Sequence, residues 1–198
     1  MDLILASQSP YRKALLQNFG LTFKTLAPKV NEDALKLRGP RDLIELTRFL
    51  AYEKANSLQD EHPRAIILGS DQVVELDGER LDKPGSVARA AEQLQSLQGR
   101  SHRLITSLCV IAPADSYMFT DVTTIHLRKL SAEDIAAYLH LDQPYDCAGS
   151  YKIEKAGLAL VEKIETQDPS AIQGLPLLSL TTAFHQLAIP LSELWGKT

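Results

Sequence analysis

The opening stretch of this chain most limits what it can fold into. Leu3-Ile4-Leu5-Ala6 is a short apolar run of the kind that makes a buried strand. Ser7-Gln8-Ser9-Pro10 follows at once, and Tyr11-Arg12-Lys13-Ala14-Leu15-Leu16 reads as an opening helix. Ser9 suits the N-cap, and Pro10 suits the first helical position, where its missing N–H is not needed. A buried strand passing straight into a helix points to an α/β architecture.

Arg12 and Lys13 break the usual rule for such a start. A helix N-terminus carries partial positive charge and favours acidic side chains. Two cations there oppose the dipole, unless a phosphate sits against the helix end. The free backbone N–H groups, the hydroxyls of Ser7 and Ser9 and both cations would then hold it. The alternative is that both cations point into water.

The chain has 198 residues, enough for one domain, 1–198, with a sizeable core or two small lobes. Its 44% apolar and 23% charged content is that of a soluble globular protein. A net charge of -4 argues against a nucleic-acid surface, so any phosphate site must be local. Cys109 and Cys147 are too few and too far apart for a disulfide framework and fit a reducing cytosol. His62, His102, His126, His140 and His185 have no zinc-ligand spacing. No signal-like segment opens the chain and no apolar run could span a bilayer, so a cytoplasmic location with no membrane partner is expected.

Further along, Leu21–Ala27 suggests a strand, and a loop carries Glu32 and Asp33. Gly39-Pro40 breaks the chain before a long helix over Arg41–Leu58, whose apolar stripe runs through Leu43, Leu46, Leu50 and Leu58. Lys54 falls on that stripe. Either it snorkels to water, or it faces a cleft and needs an anionic partner there. Residues 65–69 predict a buried strand that stops at Ser70-Asp71-Gln72. Segments 73–76 and 80–81 flank Asp77-Gly78, a tight hairpin turn, and Lys83-Pro84-Gly85 ends the hairpin. A helix over Ser86–Leu97, strands over 103–112 and 117–128, and a helix opened by Ser131-Ala132-Glu133-Asp134 follow. A polar loop over Asp142–Ala156, a strand over Gly157–Ile164, turns at Asp168-Pro169 and Gly174-Leu175-Pro176, and a helix over 177–188 close the reading. The sum is a mixed α/β domain, pinched into lobes around a cleft.

Asp71 is the strongest chemical candidate, because α/β sheets place ligands past the carboxyl ends of their strands; a turn-forming Asp is the alternative. Glu32 could join it in holding a divalent ion, or could merely solvate its loop. Lys83 lies beside a Pro-Gly turn, where an exposed lysine is ordinary. Together, cations at 12, 13, 54 and 83 with carboxylates at 32 and 71 make an inventory for cleaving a phosphoanhydride. Cations neutralise phosphates, a metal orients them, and a carboxylate activates water. No Walker-type P-loop, GxSxG elbow or GxGxxG fingerprint competes with this reading.

These residues also resemble a family. Leu3 through Pro10, with Arg12-Lys13 and Leu15-Leu16, is similar to the opening signature of the Maf family of nucleoside triphosphate pyrophosphatases. The similarity continues through Glu32, Lys54, Gly69-Ser70-Asp71, Gly78 through Lys83-Pro84, Gly99-Arg100-Ser101-His102, Ala148-Gly149-Ser150 and Gly174-Leu175-Pro176. The resemblance implies an elongated Maf/ITPase-like α/β fold with a mixed sheet and two lobes around a cleft. It implies a divalent cation, Mg²⁺ or Mn²⁺, and hydrolysis of a nucleotide to its monophosphate and pyrophosphate. It implies that Asp71 is the proton acceptor, that Glu32 and Asp71 hold the metal, and that Ser7, Arg12, Lys13, Lys54 and Lys83 surround the phosphates. A homodimer is left open.

Three positions separate the family's branches. The dTTP/UTP branch carries Arg, Thr and Gln where this chain has Tyr11, Gln72 and Glu154. The set found here resembles the branch that hydrolyses 7-methyl-GTP, with Tyr11 in place of that branch's tryptophan. Independent chemistry agrees. A 7-methylated guanine is a cation, attracted to an aromatic face by roughly 0.5–2 kcal/mol. A glutamate can accept two hydrogen bonds from the guanine edge. An uncharged pyrimidine would leave such a glutamate poorly paired. The alternatives are a pyrophosphatase for dTTP/UTP or other modified nucleotides, and a nucleotide-binding regulator of cell division with little turnover.

Overall fold

The computed structural model describes residues 2–195. Strand β1 (Leu3–Ala6) leads into helix α1 (Pro10–Asn18), with Ser9 as N-cap and Pro10 opening the helix. Strand β2 (Lys24–Leu26) and helices α2 (Glu32–Arg38) and α3 (Leu43–Asn56) follow. Next come β3 (Ile66–Leu76), β4 (Glu79–Leu81), α4 (Val87–Leu97), β5 (Ser101–Ile111) and β6 (Ser116–Leu127). Helix α5 (Ala132–Asp142), strand β7 (Val161–Glu165), and helices α6 (Leu177–Gln186) and α7 (Leu191–Leu194) complete the order. Among the described residues the strands form one seven-stranded mixed sheet in the order β2-β1-β3-β5-β6-β7, with β4 paired to β3. The α/β class with a mixed sheet read from the sequence is therefore the fold observed.

The chain divides into two compact units. The first holds the residues up to Gln72, Thr106–Asp121, and those from Asp168 onward. In it β1 pairs in parallel with both β2 and β3, and is buried along its whole length. Side chains alternate across a strand, so each face gathers its own core. Leu3, Leu5, Ile66, Leu68, Leu108 and Val110 pack with Leu16 of α1 and Leu180, Ala183 and Phe184 of α6. Ile4, Ala6, Ile67, Cys109 and Ile111 pack on the other face with Ala51 and Ala55 of α3. Each fully buried side chain of this size contributes about 1.5–3 kcal/mol.

The second unit holds Val73–Ile105 and Val122–Gln167. The β3–β4 hairpin turns on Asp77 and Gly78, both left-handed with φ of 55° and 87°, as a tight hairpin requires. Helix α5 opens as expected at Ser131, and the structure closes its start with a Ser131/Asp134 capping box. Helix α4 buries Ala90, Leu94 and Leu97, and α5 buries Ile135, Tyr138 and Leu139.

Several expected elements are corrected. Glu32 and Asp33 are not in a loop; Asn31 caps Ala34 N at 3.0 Å, and the two acids form the favoured first turn of α2. Strand β2 is shorter than 21–27, because Leu21 bridges Trp195 and Thr22 N donates to Leu194 O at 2.8 Å. Helix α3 starts at Leu43 because the Asp42 side chain accepts from Glu45 N at 2.9 Å. Strand β7 starts at Val161, not Gly157. Gly157 N donates to Lys152 O at 3.1 Å and to Asp142 Oδ2 at 3.2 Å, closing a turn before a 3₁₀ segment over Ala156–Leu160.

Candidate active site

Strand β3 does not stop at Ser70. It continues through Ser70, Asp71 and Gln72 to Leu76, so Asp71 lies inside a strand and not past its end. Polar residues persist there because each finds a buried partner, which offsets the cost of taking it out of water. Alternation puts Ile67, Gly69 and Asp71 on the α3 face, and Ser70 and Gln72 on the opposite one.

Gly69 sets the distance between α3 and β3. A Cβ at Gly69 would lie 2.1 Å from Ala51 O and 2.9 Å from Ala55 N, both in α3. Only glycine permits this approach, and the approach brings Lys54 down onto Asp71. Lys54 Nζ donates to Asp71 Oδ1 at 2.6 Å, with both side chains 6% exposed. It also lies 2.8 Å from Glu32 Oε2. Of the two readings for Lys54, the buried one with an anionic partner is therefore correct. Lys36 Nζ holds the other Glu32 oxygen at 2.9 Å. Partial burial works to raise the Glu32 carboxyl, but the charge of Lys54 and the lysine hydrogen bonds outweigh it and hold the group near 2.

Arg12 reaches the same neighbourhood from α1. Its Nε donates to Gly174 O at 2.8 Å, and its Nη1 lies 3.5 Å from the buried Ser7 Oγ. Burial pulls its pKa down, against the charges of Asp71 and Glu32, which pull it up. Ser7 Oγ also accepts from Ser9 N at 3.1 Å, and Ser9 Oγ accepts from Arg12 N at 3.4 Å. The first turn of α1 is thus folded around its own serines, with Arg12 turned inward and Lys13 exposed.

Gln72 is half-buried, and its amide nitrogen faces Thr106 Oγ1 at 2.8 Å, Ala171 O at 2.9 Å and Ile172 O at 3.2 Å. Tyr11 is half-buried at the start of α1. In the second unit, Lys83 is exposed after β4, and Glu154 is exposed in the turn that Lys155 N closes onto Lys152 O at 3.1 Å. Ser7, Arg12, Glu32, Lys54, Asp71 and Gln72 all belong to the first unit.

Four contributors have roles that the sequence does not reveal, although Gly69, Ser70 and Gly174 fall in the family motifs. Gly69 sets the helix–strand spacing, Lys36 pairs with Glu32, and Ser70 and Gly174 share a contact described below. Lys36 carries a local signal, its i,i+4 spacing from Glu32.

Glu32 and Asp71 present hard carboxylate oxygens, the donor chemistry that Mg²⁺ and Mn²⁺ prefer, and the point on which they converge holds the Lys54 ammonium. Among the described residues no group of three or more His, Cys, Asp or Glu forms a complete protein cage. A site of one or two carboxylates completed by phosphate oxygens is the usual way to hold Mg²⁺. The donor chemistry of Glu32 and Asp71 suits such an ion.

A mixed α/β sheet, a basic helix start behind its first strand and two carboxylates around a buried lysine make a cluster of acids and cations in the first unit. The chain belongs to the Maf-like protein family, whose model matches residues 2–187. A 7-methyl-GTP pyrophosphatase of Cupriavidus pinatubonensis is 41% identical over 191 residues, covering 95% of this chain and 94% of the relative. The protein of that description from Ralstonia nicotianae is 42% identical, covering 96% and 97%. One from Bdellovibrio bacteriovorus is 44% identical over 181 residues, covering 90% and 93%.

Proposed function

We propose that this chain is a nucleoside triphosphate pyrophosphatase that hydrolyses 7-methyl-GTP to 7-methyl-GMP and pyrophosphate. The observation that carries the reading is the convergence of Glu32 and Asp71 on Lys54 Nζ, at 2.8 and 2.6 Å, with Arg12 in the same electrostatic neighbourhood. The relatives named above support the choice of substrate.

In this reading Asp71 is the general base. It takes a proton from a water that attacks the α-phosphorus. The bond from that phosphorus to the bridging oxygen breaks, and pyrophosphate leaves with the bond's electrons. Lys54 orients the Asp71 carboxylate through the 2.6 Å contact. Glu32 and Asp71 would hold a divalent cation, which when bound neutralises and orients phosphate oxygens. Ser7, Arg12, Lys13, Lys54 and Lys83 serve the triphosphate. Tyr11, Gln72 and Glu154 choose the base, Tyr11 by its π face and Glu154 by its negative charge. The reaction needs no nucleic-acid polymer or membrane, and the proposed location is cytoplasmic. A homodimer remains compatible with this function.

The test is pyrophosphate release from 7-methyl-GTP, GTP, dTTP and UTP with Mg²⁺ or Mn²⁺. Release that is fastest from 7-methyl-GTP and dependent on the metal supports the proposal. Faster release from UTP or dTTP moves the chain to the pyrimidine branch. Saturable binding without release makes it a nucleotide-responsive regulator instead.

A further inference from the structure

We infer that Ser70 is a positioning residue that sets the Arg12 guanidinium through the carbonyl of Gly174. It deepens the proposed function and rests on the reading of Arg12 as a phosphate ligand.

Ser70 is fully buried on β3, and its Oγ lies 2.8 Å from Gly174 O. Arg12 Nε donates to that same oxygen, also at 2.8 Å. A carbonyl oxygen has two lone pairs, so one acceptor can serve both donors. The serine proton can go to only one acceptor at a time, and Ser107 O of β5 is the other, at 2.8 Å. Ser70 thus ties the Gly174 carbonyl to the sheet, and that carbonyl ties Arg12.

The segment holding Gly174 has little freedom of its own to hold this aim. Gly174 is left-handed with φ of 90°, ending the 3₁₀ segment Pro169–Gln173. A Cβ there would stand 3.3 Å from Arg12 Nε. The carbonyls upstream hang on the same strands: Ala171 O accepts from Gln72 Nε2 at 2.9 Å and from Thr106 Oγ1 at 3.1 Å. Asp168 completes the clamp, accepting from Ser170 Oγ at 2.6 Å and Ser179 N at 3.1 Å.

The tether has a chemical purpose. Arg12 feels the charges of Asp71 and Glu32. A guanidinium released from this carbonyl would rotate about its stem, and its Nη edge would lose the fixed direction that recognition of an anion needs. Anchoring Nε on a neutral carbonyl fixes the plane of the guanidinium. Its Nη edge then stays available for an anion, with Ser7 Oγ 3.5 Å from Nη1. Ser70 Oγ contacts the backbone carbonyls of Ser107 and Gly174, and the effect inferred here reaches the reaction through Arg12.

The experiment combines a double-mutant cycle with a probe that needs no turnover. Wild type, Ser70→Ala, Arg12→Lys and the double variant are compared for affinity toward a non-hydrolysable GTP analogue. The Arg12 Nε–H signal, assigned by its disappearance in Arg12→Lys, is followed by NMR for solvent exchange. Ser70→Ala should weaken binding by about five- to tenfold, the size of one lost hydrogen bond, and speed Nε–H exchange by a similar factor. The double variant should bind no worse than Arg12→Lys within about twofold, because both changes remove one interaction. Unchanged Nε–H exchange in Ser70→Ala, or penalties that multiply in the double variant, overturns the inference. Faster exchange in Ser70→Ala with full affinity in Arg12→Lys leaves the tether standing and defeats the phosphate role of Arg12 instead. Should Ser70→Ala unfold, Ser70→Cys keeps the volume with only a weak donor and takes its place in the cycle.

Discussion

Lys54 and Asp71 form a buried ion pair, 2.6 Å from Nζ to Oδ1, across the gap between α3 and β3. Neither residue is placed for water to satisfy it. The pair therefore belongs at once to the packing of the first unit and to its chemistry.

Lys54→Met is expected to damage both. It keeps the aliphatic stem but leaves Asp71 as an uncompensated buried charge beside Glu32. Removing one partner of a buried pair costs about 3–5 kcal/mol. An unfolding free energy lowered by that amount, together with lost pyrophosphatase activity, is the expected result. Unchanged stability would mean that the lysine ammonium reaches water.

Gly69→Ala is expected to be as harmful with no charge altered. The new methyl would meet the α3 backbone at 2.1 Å, so the helix must move away from β3. Overpacking of this kind costs about 1–3 kcal/mol or more. Activity should fall further than stability, since Lys54 leaves Asp71 as α3 shifts. A crystal structure of the variant with α3 unmoved and full activity would contradict this.

The pH dependence of stability should carry a signature from His102. Burial depresses it from its ordinary 6.5 to about 4, helped by nearby His126 and opposed by Glu75. Its Nε2 lies 2.7 Å from Tyr151 Oη. The folded state holds this histidine neutral, so between pH 6.5 and about 4 the unfolded chain binds the extra proton. Stability is therefore fully present above 6.5 and falls as pH drops toward 4, by about 3 kcal/mol in all. Unfolding measured at several pH values should give that slope in wild type and lose it in His102→Gln.

Base selection is read from ratios. Glu154→Gln should lower the preference for 7-methyl-GTP over GTP, because the attraction of a carboxylate to the cationic base is lost. Tyr11→Ala should weaken the methylated substrate more than the plain one, by roughly 0.5–2 kcal/mol of cation–π contact. If kcat/KM ratios among 7-methyl-GTP, GTP and UTP stay constant in both variants, these residues do not read the base.

What could be read from the sequence was what neighbouring residues decide. The Ser9–Pro10 helix start, the Asp77-Gly78 turn and the helix start at Ser131-Ala132-Glu133-Asp134 are each encoded within four residues and appear as expected. Asn31 offers the same kind of local signal as a cap, although the polar run around it also reads as a loop. The continuation of β3 through Ser70-Asp71-Gln72 was not readable locally. Three polar residues look like a strand's end until their partners are known, and those partners are Lys54, Gly174 and Ala171. Asp71 stands out in the sequence through an expected position past the end of an apolar strand, which it does not occupy. The spacing role of Gly69 was equally hidden, since nothing in a glycine says which helix leans on it.

The central claim is that Asp71 activates water for release of pyrophosphate. It is tested most directly by the turnover of 7-methyl-GTP in Asp71→Asn against wild type, at saturating metal and on protein whose fold is verified by its unfolding transition. The amide keeps the size and still accepts from Lys54, but it cannot take a proton at neutral pH. The account expects kcat to fall about 10²–10⁴-fold, the usual worth of a general base. Turnover within a few-fold of wild type in a folded Asp71→Asn protein would contradict it.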